Sequence, residues 1–157
     1  WVVLCKPPFA VPTKEVYQEI DSVDILEHPD NKGMMAALDQ GDYEGVCAYL
    51  SNVMETVTAA KRRQIGEIKS FLAENGADGT LMSGSGPTVY GLFSDESRAK
   101  TAAKMLRRRF ADTVRKRLRR RHIIFKRDGC IRYVRLVNLQ KRFCIVFCCL
   151  ANYKFAH

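Results

Sequence analysis

The sequence lacks any apolar run long enough to cross a membrane. Its longest such run, residues 144–151, is far shorter than the ~20 residues that a spanning helix requires. Residues 1–5 are apolar, but neither a basic leader nor a cleavage site accompanies them, which argues against a signal peptide. We therefore expect a cytoplasmic protein with no membrane partner. Because no initiator Met precedes Trp1, we also expect a segment upstream.

The six cysteines form no CxxC pair and no zinc knuckle. Cys5 and Cys47 lie in apolar contexts and are predicted to be buried free thiols. The other four are clustered near the C-terminus, where His122 is too distant in sequence to complete a ligand set. We therefore expect no metal site.

Acidic residues almost disappear after residue 106. Residues 1–106 contain 10 Lys and Arg and 15 Asp and Glu. Residues 107–142 contain 15 Lys and Arg and only 2 Asp. The net charge of +9 is therefore a property of the C-terminal part. We divide the chain into a domain at residues 1–110 and a basic, Cys-rich tail at residues 111–157.

Three interpretations of the tail are open. Residues 115–121 are basic enough to bind nucleic-acid phosphates, although basic runs without a motif usually bind non-specifically. A second interpretation is an extension that packs on the sheet, with the alternating residues 131–137 as a final strand. We favour the third, an altered reading frame beyond residue 107, because Arg, Cys and Phe rise abruptly there. Nucleic acid is therefore not an expected partner.

The first 110 residues are predicted to contain helices and antiparallel strands without strand–helix alternation. This order indicates the α+β class. Thr13 is predicted to be the N-cap of the first helix. The predicted strands occupy residues 1–5, 80–83 and 88–93. Two predicted helices occupy residues 14–20 and 61–75. Four more are predicted to begin at Asp30 or Asn31, at Asp42, near Asn52 and at residues 94–96.

Residues 83–87, Ser-Gly-Ser-Gly-Pro, separate the last two strands and contain more small residues than a tight turn needs. A loop that turns its N–H groups toward an anion needs the same residues, because side chains would block the approach. The segment is not a Walker loop, since no Lys follows Gly86. It is not a dinucleotide fingerprint either, since Val89 stands where a third glycine is needed. A simple glycine turn and an anion-binding loop both remain open on the residues alone.

The stretch MSGSGPTVYGLF, residues 82–93, resembles the third conserved motif of the GHMP kinase superfamily, which includes galactokinase, homoserine kinase and mevalonate kinase. Its form is most similar to the diphosphocytidyl-methylerythritol kinases of that superfamily. The resemblance runs in order over residues 2–106. Three further stretches carry it: KPPFAVPTKEVY at residues 6–17, LSNVMETV at residues 50–57 and ADGTLMSGSG at residues 77–86.

This resemblance implies a ferredoxin-like C-terminal domain, an antiparallel sheet with helices packed on one face. It also implies an ATP- and Mg²⁺-dependent kinase that phosphorylates the 2-hydroxyl of 4-diphosphocytidyl-2-C-methyl-D-erythritol, in non-mevalonate isoprenoid biosynthesis. The family's catalytic residues belong to an N-terminal domain that has no counterpart in this sequence. We therefore expect no catalytic residue here, no ATP or Mg²⁺ bound by this chain alone, and no activity of the chain alone.

The resemblance also assigns substrate contacts to six residues. Four would face the diphosphate and the methylerythritol, and two match the segment that covers the cytosine, where an aromatic ring stacks on the base. Asn52 and Glu55 are interpreted as structural residues at a helix junction. The six residues are Thr13, Tyr17, Gly84, Ser85, Gly86 and Thr88.

Two other functions remain alternatives. One is another GHMP kinase, of the homoserine or mevalonate kinase type, and the pattern Pro12-Thr13-x-x-x-Tyr17 argues against it because only a cytidine-binding member needs a base cover there. The other is a non-catalytic, basic nucleic-acid-binding module, for which the tail would be the functional part. By itself Tyr17 is predicted to be a half-buried core residue.

Overall fold

The computed structural model describes residues 1–25 and 28–110, which form a three-stranded antiparallel sheet and six helices. The strands are β1 (Val2–Cys5), β2 (Gly79–Met82) and β3 (Val89–Leu92), in the order β1-β3-β2. The central strand β3 is buried along its whole length. The predicted α+β class and the predicted hairpin are confirmed, with hairpin boundaries that differ by one residue.

Local side-chain signals explain where several helices begin. Asp30, Asp42 and Asp95 each accept a hydrogen bond from the N–H three residues later, at 2.9, 3.0 and 2.7 Å. Each therefore satisfies one of the N–H groups that the first turn of a helix leaves unpaired. The helix starts predicted at Asp30 or Asn31 and at Asp42 are confirmed, with Asp30 and Asp42 as the N-caps. The helices are α1 (Thr13–Ile20), α2 (Asn31–Gln40), α3 (Tyr43–Ala48), α4 (Val53–Lys61), α5 (Arg63–Glu74) and α6 (Glu96–Arg109).

The main core lies between one face of the sheet and the helices α5 and α6. Ile65, Ile68 and Leu72 are fully buried, because helical spacing places all three on one stripe of α5. Three alanines of α6 are also buried, and their small side chains allow this helix to lie close to β1. Both helices pack on the same face, as predicted.

The helix α3 covers part of the opposite face, which the sequence pattern did not indicate. Leu81, Tyr90 and Leu92 of the sheet pack there against the apolar side of α3. Cys47 of α3 is only half-buried, contrary to prediction, because its side chain lines a shallow cavity. Cys5 is 2% exposed as predicted, and burial raises the pKa of its thiol to about 12.

The predicted N-cap at Thr13 is wrong. The helix α1 begins at Thr13 itself, and Pro12 occupies the N-cap position without a side-chain hydrogen bond. The carbonyl of Pro12 accepts the Glu15 N–H at 3.1 Å. The Thr13 hydroxyl is bonded to Ser85 instead, a partner 72 residues away that no local pattern indicates.

The helix predicted over residues 61–75 is confirmed as α5, which begins two residues later than predicted because the chain breaks at Arg62, between α4 and α5. The backbone of Arg62 is not helical, with φ −127° and ψ 74°. The helix α4 packs against α1 whereas α5 packs against the sheet, and one straight helix could not reach both. The Arg62 guanidinium lies 5.6 Å from the centre of the Phe9 ring, in a cation–π contact.

The basic tail and the predicted strand at residues 131–137 lie outside the described residues, so the division at residue 110 stays a prediction. In the part of the chain that the structure describes, no helix is both long and apolar enough to cross a membrane.

Candidate substrate site

The glycine-rich loop, residues 83–88, joins β2 to β3 in a closed turn. The Ser83 N–H donates to the Thr88 carbonyl at 2.8 Å, and the Gly86 N–H donates to the Ser83 carbonyl at 3.0 Å. Gly84 and Gly86 have positive φ angles of 56° and 89°. These conformations suit glycine and are costly for other residues.

Gly86 is required for a second reason, which is the close approach of Met82. A Cβ atom at position 86 would lie 2.7 Å from the Met82 sulfur and 3.4 Å from the Thr58 methyl group. The loop is therefore packed directly onto β2 and α4, with no room for a side chain at this position.

The helix α4 binds the carbonyl groups of the loop. The Asn52 side-chain amide donates to the Met82 carbonyl at 2.7 Å and to the Gly84 carbonyl at 2.9 Å. The Thr58 hydroxyl donates to the Ser85 carbonyl at 3.3 Å. Two carbonyls of the loop, those of Gly84 and Ser85, are thus directed toward α4, as is that of Met82 at its entrance.

The N–H groups of Gly84 and Ser85 are left without an acceptor among the residues that the structure describes. A trans peptide unit is planar, so its C=O and N–H point in opposite directions. Because the Gly84 carbonyl faces α4, the Ser85 N–H points away from α4. The Ser83 carbonyl faces into the turn, so the Gly84 N–H points out of it. Two consecutive free N–H groups are a typical anion-binding arrangement.

The start of α1 lies against this loop. The Thr13 hydroxyl and the Ser85 hydroxyl are 3.0 Å apart and share a hydrogen bond. Tyr17 follows one helical turn later on the same side of α1, and it is half-buried against the main core. Thr13 and the loop, which the sequence analysis placed in one site, are thus adjacent. The core packing of Tyr17 also matches the prediction made from that residue alone.

Glu55 and Lys69 form a second anchor beneath the loop. Glu55 accepts the Met82 N–H at 2.8 Å through one carboxylate oxygen, and Lys69 of α5 pairs with the other. Asn52 does begin α4, since its side-chain oxygen accepts the Met54 N–H at 3.1 Å. Asn52 was interpreted as a residue of the helix junction alone, but it also donates hydrogen bonds to Met82 and Gly84.

Thr58 was not singled out from the sequence. The signal that could have found it is spacing, because Asn52, Glu55 and Thr58 are three residues apart and therefore share one face of a helix. All three contact the segment from Met82 to Ser85. By itself, a polar stripe of this kind indicates the solvent-facing side of a helix. In the structure the hairpin packs against it.

A shallow cavity of about 370 Å³ lies at the other end of the hairpin and contains none of the predicted site residues. Asp78 lies at its edge and accepts hydrogen bonds from the Tyr43 hydroxyl at 2.8 Å and the Ser94 N–H at 2.6 Å. Partial burial acts to raise the pKa of Asp78, but these hydrogen bonds outweigh it and the pKa is lowered. Burial and the bond to Asp78 raise the pKa of Tyr43. The arrangement ties α3 to the hairpin.

Tyr43→Phe is expected to lower the free energy of unfolding by about 1–2 kcal/mol at neutral pH, because a hydrogen bond to a charged group is lost. The pKa of Asp78 is depressed in the folded state, so its contribution is present above the unfolded pKa of about 4 and is lost as the pH falls through the folded value. The deficit of the variant should therefore shrink between about pH 7 and about pH 3 in urea unfolding.

Tyr49→Phe is the matched control, since the Tyr49 hydroxyl makes no hydrogen bond within the described residues and the side chain is 40% exposed. It should leave stability unchanged at both pH values. An equal deficit of Tyr43→Phe at neutral and acid pH would show that the Asp78 carboxylate is not the group involved.

A small antiparallel sheet with α5 and α6 on one face and α3 on part of the other, and a glycine-rich hairpin with two free N–H groups, define an α+β domain with a candidate anion site. A family model of the C-terminal domain of GHMP kinases matches residues 34–112, half of the chain. The chain therefore belongs to the GHMP kinase family through this C-terminal domain. The resemblance carried by the four sequence motifs is confirmed.

The curated relatives share one activity in their names. Over 107 residues the chain is 45% identical to a 4-diphosphocytidyl-2-C-methyl-D-erythritol kinase of Bacillus licheniformis and 44% identical to one of Geobacillus thermodenitrificans. Each match covers 68% of this chain and 37% of the relative. The chain thus spans little more than a third of the length of these relatives.

Two solved structures resemble the domain. A crystal structure of 4-(cytidine 5'-diphospho)-2C-methyl-D-erythritol kinase is 27% identical with a TM-score of 0.56, over 68% of this chain and 38% of that one. Homoserine kinase from Cytophaga hutchinsonii is 19% identical with a TM-score of 0.60, over 71% of this chain and 37% of that one. At that identity the second likeness shows the fold alone.

Proposed function

We propose that the chain is the substrate-binding part of a 4-diphosphocytidyl-2-C-methyl-D-erythritol kinase in non-mevalonate isoprenoid biosynthesis. The observation that carries the proposal is the contact between Thr13 and Ser85, 3.0 Å between hydroxyl oxygens. It places the segment assigned to the cytosine beside the loop assigned to the diphosphate. The identities of 45% and 44% to kinases of that name support the same substrate.

In this proposal the loop binds the diphosphate through its backbone. The N–H groups of Gly84 and Ser85 donate to phosphate oxygens, and hydrogen bonds to charged acceptors are stronger than those between neutral groups. The Ser85 and Thr88 hydroxyls lie in the same loop and add donors. Gly86 contributes by its lack of a side chain, which lets the loop close against Met82.

Tyr17 provides the base-binding surface. Its ring is half-buried, so one side packs on the core while another part remains accessible. An aromatic ring fixed in this way loses little conformational freedom when a cytosine stacks on it. Base and diphosphate would then be held at two points, which orients the methylerythritol hydroxyl for phosphorylation.

The phosphoryl donor in this proposal is ATP with Mg²⁺, which when bound supplies the γ-phosphoryl group and neutralises its charge. Within residues 1–25 and 28–110, no group of three or more acidic, His or Cys side chains could hold a metal ion. The part of these residues is to bind and orient the acceptor, and the inactivity of the chain alone stays a prediction, as does its cytoplasmic location.

The test is a titration of the ¹⁵N-labelled 157-residue chain, followed through its backbone amides. We expect cytidine 5′-diphosphate to bind with a Kd on the order of millimolar, since only part of the contacts of a whole kinase is available. Cytidine should bind about tenfold more weakly, because it offers nothing to the two N–H groups. The Gly84 and Ser85 amides should shift with the diphosphate and not with cytidine.

The Gly41 amide serves as an internal control, since Gly41 ends α2, a helix that packs against α3. Equal affinities for cytidine and its diphosphate would contradict an anion site in the loop. Selective binding of homoserine would transfer the proposal to the homoserine kinase branch.

A further inference from the structure

Asn52 and Thr58 are the two buried polar residues in the part of the chain that the structure describes, at 8% and 3% exposure. Both direct their side-chain donors to the carbonyls of the glycine-rich loop and its entrance. Burying a polar side chain is costly unless it is hydrogen-bonded. Hydrogen bonds offset the cost of burying both side chains, and all of these bonds lie beneath the proposed anion site.

The Gly84–Ser85 peptide takes part in neither of the two hydrogen bonds that close the turn, so its orientation depends on a constraint from outside the loop. Gly84 and its neighbour Ser85 share a peptide unit that a glycine allows to rotate easily. In the observed orientation its carbonyl faces Asn52 at 2.9 Å and its N–H points away from α4. In the reversed orientation the carbonyl oxygen, with its partial negative charge, would face the anion and repel it.

We infer that Asn52 and Thr58 are positioning residues, which hold the loop carbonyls toward α4 and thereby direct the Ser85 N–H to the phosphate of the substrate. Asn52 fixes the Gly84–Ser85 peptide and Thr58 fixes the next one. Glu55 completes the support by binding the Met82 N–H at the entrance to the loop. This inference rests on the proposed function and adds the residues that prepare its anion site.

The variant Asn52→Ser tests the role of the amide. Serine is as good an N-cap as asparagine, so α4 should still begin at the same place. Its shorter side chain cannot reach the carbonyls of both Met82 and Gly84. We expect the Kd for cytidine 5′-diphosphate to rise about tenfold and the Kd for cytidine to stay unchanged.

The pair Thr58→Val and Thr58→Ser gives an independent test if Asn52→Ser fails to fold. Valine keeps the volume and removes the hydroxyl, and we expect a loss of about threefold in affinity for the diphosphate only. Serine keeps the hydroxyl and should restore the wild-type affinity. A merely structural role would lower the melting temperature without changing the ratio of the two dissociation constants.

The outcomes separate this inference from the proposed function. If the wild-type chain prefers the diphosphate and the folded variants keep the same preference, the positioning role is overturned while the anion site stands. If the wild-type chain shows no preference, the proposed function fails and this inference fails with it. A preference lost in Thr58→Val and recovered in Thr58→Ser supports both.

Discussion

Gly86→Ala is expected to lower the free energy of unfolding by about 2–6 kcal/mol. Two costs add at this position. A non-glycine residue is strained at φ 89°, which costs on the order of 1–3 kcal/mol. The new methyl group would also lie 2.7 Å from the Met82 sulfur, and overpacking of this kind costs about 1–3 kcal/mol. Urea unfolding of the wild-type and variant chains measures the difference.

Two other glycines separate these costs. Gly41 has a positive φ of 69° but nothing within 4 Å of its missing Cβ, so Gly41→Ala should show the strain without the contact. Gly66 lies inside α5 with open space around it, and Gly66→Ala should raise stability by about 0.5–1 kcal/mol. If Gly86→Ala costs no more than Gly41→Ala, the loop is not packed against Met82 as tightly as the structure indicates.

The parts of the fold that the sequence predicts well are those with local causes. An aspartate caps a helix through its own side chain and needs no distant partner, so the sequence predicts helix starts at Asp30 or Asn31 and at Asp42, and the caps are Asp30 and Asp42. The apolar stripe of α5, with Ile65 and Leu72, likewise follows from helical spacing. The hairpin followed from two β-prone runs around a glycine-rich turn.

The parts that it misses depend on partners far away in sequence. Thr13 was predicted to be an N-cap because threonine is common at that position. Its hydroxyl is instead hydrogen-bonded to Ser85, 72 residues later. The break at Arg62 moves the start of the helix predicted at residues 61–75 two residues later, because α4 and α5 pack on different surfaces. Thr58 supports the loop across 27 residues. These long-range bonds converge on the candidate site, so its support was harder to predict than its motif.

Tyr17→Leu is expected to weaken the binding of cytidine and of cytidine 5′-diphosphate by about tenfold, because stacking of a base on an aromatic ring is worth about 1–3 kcal/mol. Leucine keeps an apolar side chain against the core, where Tyr17 is half-buried, so most of the packing should remain. Tyr17→Phe keeps the ring and should bind both ligands as the wild type does. Amide titration gives the dissociation constants of both ligands for the wild type and the two variants, and urea unfolding shows how much stability each variant loses.

Inorganic pyrophosphate distinguishes the two ends of the proposed site. It has no base, so Tyr17→Leu should leave its affinity unchanged, whereas Asn52→Ser should reduce it. Cytidine has no phosphate, so Tyr17→Leu should reduce its affinity whereas Asn52→Ser should leave it unchanged. If Tyr17 is only a core residue, the leucine and phenylalanine variants will bind all three ligands equally and differ in stability alone. Opposite responses to pyrophosphate and cytidine require separate anion and base sites, joined in this chain where Thr13 meets Ser85.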